Sequence, residues 1–415
     1  MTVLPKVSVI GLGYIGLPTA ALIASRGIAV HGVDISERIV ATIAAGAIHI
    51  AEPDLDGLVQ KVISNGALKV STRAEPADVF MIAVPTPMDA EKRPDLRMVF
   101  SAVDAICDVL APGNLVILES TSPVGATERI AKRIWEKRPD LLAPASKPLA
   151  IAYCPERVLP GRILTELINN DRCIGGLTPA CSLEARKFYK LFVRGACVIT
   201  SAPAAEMVKL TENAFRDVNI AFANELSLIC DSLDINVWEV IELANRHPRV
   251  NILRPGPGVG GHCIAIDPWF IVDSAPDLAR LIRAGREVND RKMEATFERA
   301  RALIEENSFG SIACLGLAFK ANVDDLRESP ALEVALRLAE RYGSRVKIVE
   351  PNVDELPEAL AAAGAALVDL DEALRSCDVA IVLVDHDQFK MVALADRRRL
   401  AVLDTRGIWQ DMPQG

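Results

Sequence analysis

An apolar run, Val7 to Ile10, leads into Gly11-Leu12-Gly13-Tyr14-Ile15-Gly16 and then into a helical pattern that continues through Ser25. A G-x-G-x-x-G between strand and helix leaves few folds open. Gly11 permits the tight turn, Gly13 lets the backbone approach a pyrophosphate, and Gly16 lets helix and strand pack closely. A diphosphate would lie at the helix N-terminus, where unpaired N–H groups and the helix dipole favour an anion. Tyr14 and Ile15, inside the motif, count with the glycines as cofactor-binding residues. The next strand, Val30-His31-Gly32-Val33, ends in Asp34, about twenty residues on. A carboxylate there accepts hydrogen bonds from ribose hydroxyls and repels a 2′-phosphate, so NAD is expected over NADP. Arg38, one turn later, tempers that preference without reversing it. The competing reading is a glycine turn in a Rossmann-like fold that binds nothing.

Further strands are expected at Asp78 to Val84 and Asn114 to Glu119, each running into a polar loop. In an open parallel sheet ligands lie beyond the carboxyl ends of the strands, so Pro85, Thr86 and Thr121 are expected to face the cofactor. The run from Ile151 repeats the pattern and ends in Glu156 and Arg157, the acid being a candidate to touch substrate or a catalytic water. Near the C-terminus, Ser311 to Lys320 reads as a first Rossmann strand and turn that has lost two glycines and gained a lysine. Strands at Val346 to Glu350, Val379 to Val384 and Leu400 to Leu403 complete a second α/β domain, in which Lys320 suits a diphosphate held by a side-chain cation.

Between the two lies a segment without glycine or proline, Ala204 to about Leu233, long enough to span roughly 45 Å as a helix. It is expected to join domains and to pack against a second subunit. Lys209 and Asn213 share a face one turn apart and Asn224 returns to it; such groups are costly to bury unless used. The bland alternative is a Glu206–Lys209 salt bridge on a solvated face. Beyond the helix, Arg254 to Asp267 reads R-P-G-P-G-V-G-G-H-C-I-A-I-D, a loop of fixed path presenting one soft nucleophile, Cys263. Gly260 and Gly261 leave room for a ligand to approach the sulfur, Asp267 is placed to orient a water or proton, and Arg246, Arg249 and Arg254 suit a phosphate or carboxylate. His262 is assigned no catalytic role, since adjacent residues rarely point at one another. Taken alone, Cys263 reads first as a small buried hydrophobe, the usual state of a free cysteine.

The expected architecture is therefore α/β, two Rossmann-like doubly wound domains joined by a long central helix and a helical middle domain, divided at 1–200, 201–305 and 306–415. With a net charge of −9 over 415 residues and no basic run beyond Arg397 to Arg399, nucleic acid is not an expected partner. No apolar stretch reaches about eighteen residues and Met1 to Pro5 leads directly into a strand, so neither a membrane span nor a signal peptide is expected, and the setting is cytoplasmic. Nine scattered cysteines without a C-x-x-C pair argue against a disulfide framework and against a metal site.

The motifs G-L-G-Y-I-G-L-P, V-P-T-P, E-S-T-S-P-V-G, Y-C-P-E-R-V-L-P-G, A-E-M-V-K-L-T-E-N, H-P-R-V-N-I, P-G-P-G-V-G-G-H-C-I-A-I-D-P-W-F and F-K-A-N-V-D-D-L-R-E-S-P resemble, in order and spacing, the UDP-glucose/GDP-mannose dehydrogenases along essentially the whole chain. I-H-I-A-E-P-D-L-D, I-N-N-D-R, F-R-D-V-N-I-A-F-A-N-E-L-S-L-I-C and V-D-H-D-Q-F-K are similar to the branch acting on UDP-N-acetyl-D-mannosamine, which supplies bacterial surface polysaccharides. The resemblance implies a four-electron oxidation of the sugar C6 alcohol with two NAD+, through a Cys263 thiohemiacetal and thioester. It implies that Lys209 and Asn213 stabilise the oxyanion, that Asp267, Thr121 and Glu156 position water, and that Arg327 contacts NAD. Lys320 and Arg254 would bind substrate, with Arg157, Gly258, Gly260 and His262 beside them, and Arg249 would reach into the neighbouring subunit of a homodimer. One departure stands out: relatives acting on UDP-glucose carry a second glutamate shortly after the one matched by Glu156, where this chain reads Val158-Leu159-Pro160-Gly161. Alternatives are the same chemistry on UDP-N-acetylglucosamine, UDP-N-acetylgalactosamine or GDP-mannose, a two-electron hydroxyacid dehydrogenase, or a non-catalytic nucleotide-sugar sensor.

Overall fold

A computed structural model describes residues 4–50, 52–142, 147–159, 161–261, 264–306 and 310–409. It divides into two compact units, 1–212 with 269–274, and 213–268 with 275–415. The first is built on β1 (Val7–Ile10), β2 (Val30–Val33), β3 (Leu68–Ser71), β4 (Val79–Ile82), β5 (Leu115–Leu118), β6 (Ala150–Tyr153), β7 (Arg172–Gly176) and β8 (Cys197–Ser201), in the order β3-β2-β1-β4-β5-β6-β7-β8. All pairs are parallel except β6 with β7. The order reverses at β1, so the crevice outside the strand ends opens beside the glycine turn.

Apolar alternation explains why helices cover both faces. Val7, Val9, Val79, Met81, Leu115 and Ile117 feed one core, while Ile10, Phe80, Ile82, Val116 and Leu118 feed the other. Strands buried on both sides belong in a doubly wound sheet.

The second unit repeats the plan with β9 (Ile312–Leu315), β10 (Val346–Val349), β11 (Ala366–Leu367), β12 (Val379–Val382) and β13 (Ala401–Asp404), ordered β11-β10-β9-β12-β13 and all parallel. Ile312 and Cys314 enter one core, Ala313 and Leu315 the other. Its first turn copies that of the first unit. Gly11 N–H donates to Val33 O and Gly316 N–H to Val349 O, each glycine at positive φ.

The helix Ala202–Ser232 has 31 residues and begins in the first unit, belonging to the second from Asn213 on. Pro203 is tolerated because it falls in the first turn, where its missing N–H has no intrahelical partner to lose. The Glu206–Lys209 salt bridge is not formed. Glu206 is buried, and its carboxylate accepts from Gly125 N, Thr127 N and Thr127 Oγ1 at 2.6–2.8 Å, capping the helix Ala126–Lys137. A carboxylate among the orphan N–H groups of a helix start gains more than it would on a solvated face. Among the described residues, no helix is long and apolar enough to cross a membrane.

Candidate active site

In the first unit the glycine turn has the geometry its sequence requires. A Cβ at Gly16 would lie 1.8 Å from Gly11 O, whereas one at Gly13 would meet nothing within 4 Å. Gly16 thus serves close packing and Gly13 leaves an open face. The helix Gly16–Ser25 starts at Ile15 without a side-chain cap. Leu17 N donates to Gly13 O at 3.1 Å and Pro18 has no N–H, so an anion here would meet the turn ahead of the helix, where Tyr14 is partly exposed. Asp34 Oδ2 accepts from Leu12 N at 3.0 Å and Oδ1 from Ser36 N at 2.9 Å, which holds the carboxylate at the end of β2. Arg38 is exposed one turn further on. These residues fit an NAD adenosine diphosphate half.

The loops after β4 and β5 are tied together: Thr86 Oγ1 donates to Thr121 O at 2.6 Å and Val84 N to Ser120 Oγ at 3.0 Å, with Pro85 exposed beside them. Glu156 lies past the end of β6, buried, with Oε2 2.6 Å from Arg172 Nη1 and Oε1 accepting from Arg157 N. Arg157 pairs with Glu212 on the long helix, at 2.5 and 3.0 Å. Behind Glu156, Glu119 accepts from Tyr189 OH at 2.8 Å. Burial, opposed by the Arg172 charge, pushes the Glu119 carboxyl up to about 7. Burial also pushes the Cys154 thiol up to about 12, so that cysteine is an inert core residue. Arg172 and Glu119 escaped notice in the sequence because an arginine on a short strand and a glutamate before a loop read as surface groups.

Lys209 is half-buried and, among the described residues, has no hydrogen-bond or ion-pair partner. One turn along the same face, Asn213 Nδ2 donates to Asp267 Oδ2 at 2.5 Å, joining two expected site residues 54 positions apart. Asp267 is buried at the start of the helix Asp267–Ser274. His262 and Cys263 lie outside the described residues.

The glycine loop before them is anchored through a buried polar chain. Gly256 N donates to Asn224 Oδ1, Asn224 Nδ2 to Asn289 Oδ1, and Asn289 Nδ2 to Asp217 Oδ1, which also takes Arg286, all at 2.7–2.9 Å. Asn224 therefore holds the loop, which accounts for an amide on that face. Further along, a Cβ on Gly260 would fall 2.2 Å from Glu328 O, and one on Gly261, at φ +82°, 2.9 Å from Phe319. Gly258 sits against Pro330, and Arg406, paired with Asp385 at 2.7 Å, abuts Gly256.

Arg254 is exposed with its guanidinium 6.0 Å from the Trp238 ring centroid, and the Arg249 side chain is exposed without a partner among the described residues. Lys320 is half-buried beside the Phe319 ring, and Arg327 is exposed and paired with Asp325 at 2.6 Å. A residue overlooked in the sequence is Glu350. At the end of β10 it accepts from Leu317 N and Ala318 N, as Asp34 does from Leu12, and its other partners are His386 at 3.1 Å and the Asn352 backbone and side-chain amides at 3.1 and 3.2 Å. Burial pushes its carboxyl upward, but the His386 hydrogen bond and these N–H groups hold it below the usual range. Among the described residues, no group of three or more His, Cys, Asp and Glu is placed to hold a metal.

A dinucleotide fold with an open Gly13 and an acid at β2, coupled to a second nucleotide-type fold, defines a nucleotide-dependent dehydrogenase class. Residues 5–193 match the NAD binding domain of the UDP-glucose/GDP-mannose dehydrogenase family, 203–291 its central domain and 313–411 its UDP binding domain. The chain belongs to that family. It is 55% identical over 407 residues to the NDP-N-acetyl-D-galactosaminuronic acid dehydrogenase of Ralstonia nicotianae, covering 97% of this chain and 96% of that one. It is also 55% identical over 416 residues to the UDP-N-acetyl-D-mannosamine dehydrogenase of Yersinia pestis, covering 97% and 99%. The solved UDP-D-ManNAc dehydrogenase of Pyrococcus horikoshii superposes with a TM-score of 0.88 at 38% identity, covering 99% of this chain and 97% of that one.

Proposed function

We propose that the chain oxidises UDP-N-acetyl-D-mannosamine at C6 to the uronate, in the cytoplasm, for surface polysaccharide synthesis. The reaction consumes one alcohol, two NAD+ and one water, and yields one carboxylate, two NADH and three protons. Bound NAD+ supplies the hydride acceptor for each half. The protein's own groups do the rest. Cys263 Sγ adds to the intermediate aldehyde, Lys209 and Asn213 donate to the oxyanion of the adduct, and water released from Thr121, Glu156 and Asp267 cleaves the thioester. The Asn213–Asp267 hydrogen bond carries this reading, because it aims the amide, while Lys209, one turn away, has no partner among the described residues. Lys320, Arg254, Gly258, Gly260 and Arg157 are assigned to the substrate, and Arg327 to NAD. The division into 1–200, 201–305 and 306–415 assigns cofactor, cysteine loop and nucleotide sugar to separate domains.

The amino-sugar branch is supported by Glu52. Its buried carboxylate accepts from Gly161 N at 2.8 Å and Ile163 N at 2.7 Å. The I-H-I-A-E-P segment thus pins the stretch where relatives acting on UDP-glucose carry their second glutamate. The likeness to the Ralstonia nicotianae enzyme favours a second reading, the galactosamine isomer. A homodimer is supported by Phe215, Phe222 and Ile229, exposed at seven-residue spacing on the long helix, with Arg249 reaching across.

The test is NADH formed per mole of limiting UDP-N-acetylmannosamine, beside the galactosamine, glucosamine, glucose and GDP-mannose substrates. Two NADH with the mannosamine preferred is expected. Full turnover to the acid by a Cys263→Ser variant would sink the thioester step.

A further inference from the structure

A cavity of about 230 Å³ lies wholly within the second unit, between Ser227 and Asp231 of the long helix, Trp238, Lys292 and Arg299 of the helix Arg280–Glu306, and Asp404 of β13. Among the described residues of the glycine-rich loop, only Pro255 reaches it. Lys292 is 5% exposed, yet among the described residues its one polar partner is a neutral hydroxyl, Ser227 Oγ at 2.6 Å. Asp231 lines the same cavity and its charge favours the Lys292 ammonium from beyond ion-pair distance, but both acids there already have partners. Asp231 takes the Arg299 guanidinium, and Asp404 accepts from the backbone N–H groups of Arg406, Gly407 and Trp409 at 2.7–2.9 Å.

An ammonium carries three donors, and burying one without a counter-charge is costly. Burial draws the Lys292 amine down to about 8, where at neutral pH it is still mostly cationic. The cavity also meets the start of the helix Val237–Ala244, whose dipole adds positive potential, and Arg299 stands at its rim. A buried cation with no anion in direct contact among the described residues, facing a space larger than one water needs, is incomplete as a structural element.

We propose that this cavity binds a small oxyanion, the phosphate or carboxylate group of a metabolite, on Lys292, with the Arg299 guanidinium, shared with Asp231, at the rim. It is a second ligand site, separate from that of the nucleotide sugar. The full-length protein, saturated with UDP to fill the nucleotide-sugar site, is titrated calorimetrically with inorganic phosphate and separately with malonate. One equivalent of one of these anions is expected, weakened at least tenfold in Lys292→Met and retained in Lys292→Arg, with UDP affinity unchanged. Which anion binds distinguishes phosphate from carboxylate. Absence of saturable binding of both, or equal binding in Lys292→Met, overturns the proposal. Should Lys292→Met fail to fold, anomalous difference density from selenate in wild-type crystals decides. A peak within hydrogen-bond distance of Lys292 Nζ supports the site, and peaks confined to other places overturn it.

Discussion

Replacing Arg172 by methionine tests the electrostatics of the first unit most directly. Its guanidinium is 3% exposed, lies 2.6 Å from Glu156 and stacks 5.4 Å from the Tyr189 ring centroid. Methionine fills much of the volume but leaves the Glu156 carboxylate buried without a cation. Breaking a buried pair from one side costs about 3–5 kcal/mol, mostly the penalty of the stranded charge. With a urea m-value near the top of the usual range of about 1–3 kcal/mol per molar, the midpoint should fall by more than about 1 M. The assay is urea unfolding at neutral pH followed by Trp135, in a background where Trp238, Trp269 and Trp409 are phenylalanine, so that the first unit is read alone. Adding Glu156→Gln to Arg172→Met should recover part of the loss, because the stranded charge is then gone. A loss below about 1 kcal/mol, or a double variant no more stable than the single one, would refute the reasoning.

Glu119 gives a pH signature. Its folded carboxyl is raised to about 7 by burial, so its contribution to stability is complete below the ordinary value of 4.5 and is lost as pH climbs through about 7. Glu119→Gln should flatten the decline in melting temperature between pH 5 and 8, and an unchanged slope would exclude it as the source. Gly261→Ala places a Cβ 2.9 Å from Phe319 at φ +82°, a strain of about 1–2 kcal/mol. Turnover should fall while NAD binding to the first unit, read by fluorescence quenching, stays constant. Glu206→Ala strands the Gly125 and Thr127 N–H groups at about 1–3 kcal/mol each, and hydrogen exchange at the start of Ala126–Lys137 should accelerate.

Much of the fold was legible because its signals are local. The long helix was visible from the lack of glycine and proline over thirty residues, and β1, β4, β5 and β12 from apolar runs flanked by turns. What stayed hidden depends on partners far away in sequence. Glu206 reads as half of an i,i+3 pair until Thr127, 79 residues earlier, is folded against it. Arg286, Asn289, Lys292 and Thr296 look like the polar face of the helix Arg280–Glu306, yet all four are buried. Their spacing gives no hint of this, because a polar stripe at helical period is normally wet. Glu350 was recoverable: it ends the second strand of its domain as Asp34 ends the second strand of the first, and superimposing the two halves of the sequence would have marked it. Asn213 and Asn224 stood out because amides are expensive on a mostly apolar helix, and the hydrogen bonds they make to Asp267 and to Gly256 and Asn289 answer that expense.

Asp34 has a consequence for how such a chain can change over generations. The carboxylate that the proposed function assigns to a ribose hydroxyl also fastens Leu12 N, and with it the glycine turn, to the end of β2. Exchanging it for a small neutral residue would admit a 2′-phosphate and at the same moment release the turn that must grip the diphosphate. Cofactor preference and turn geometry are therefore inherited as one character, and a lineage drifting toward NADP must acquire a replacement tether for Leu12 before it can discard the acid.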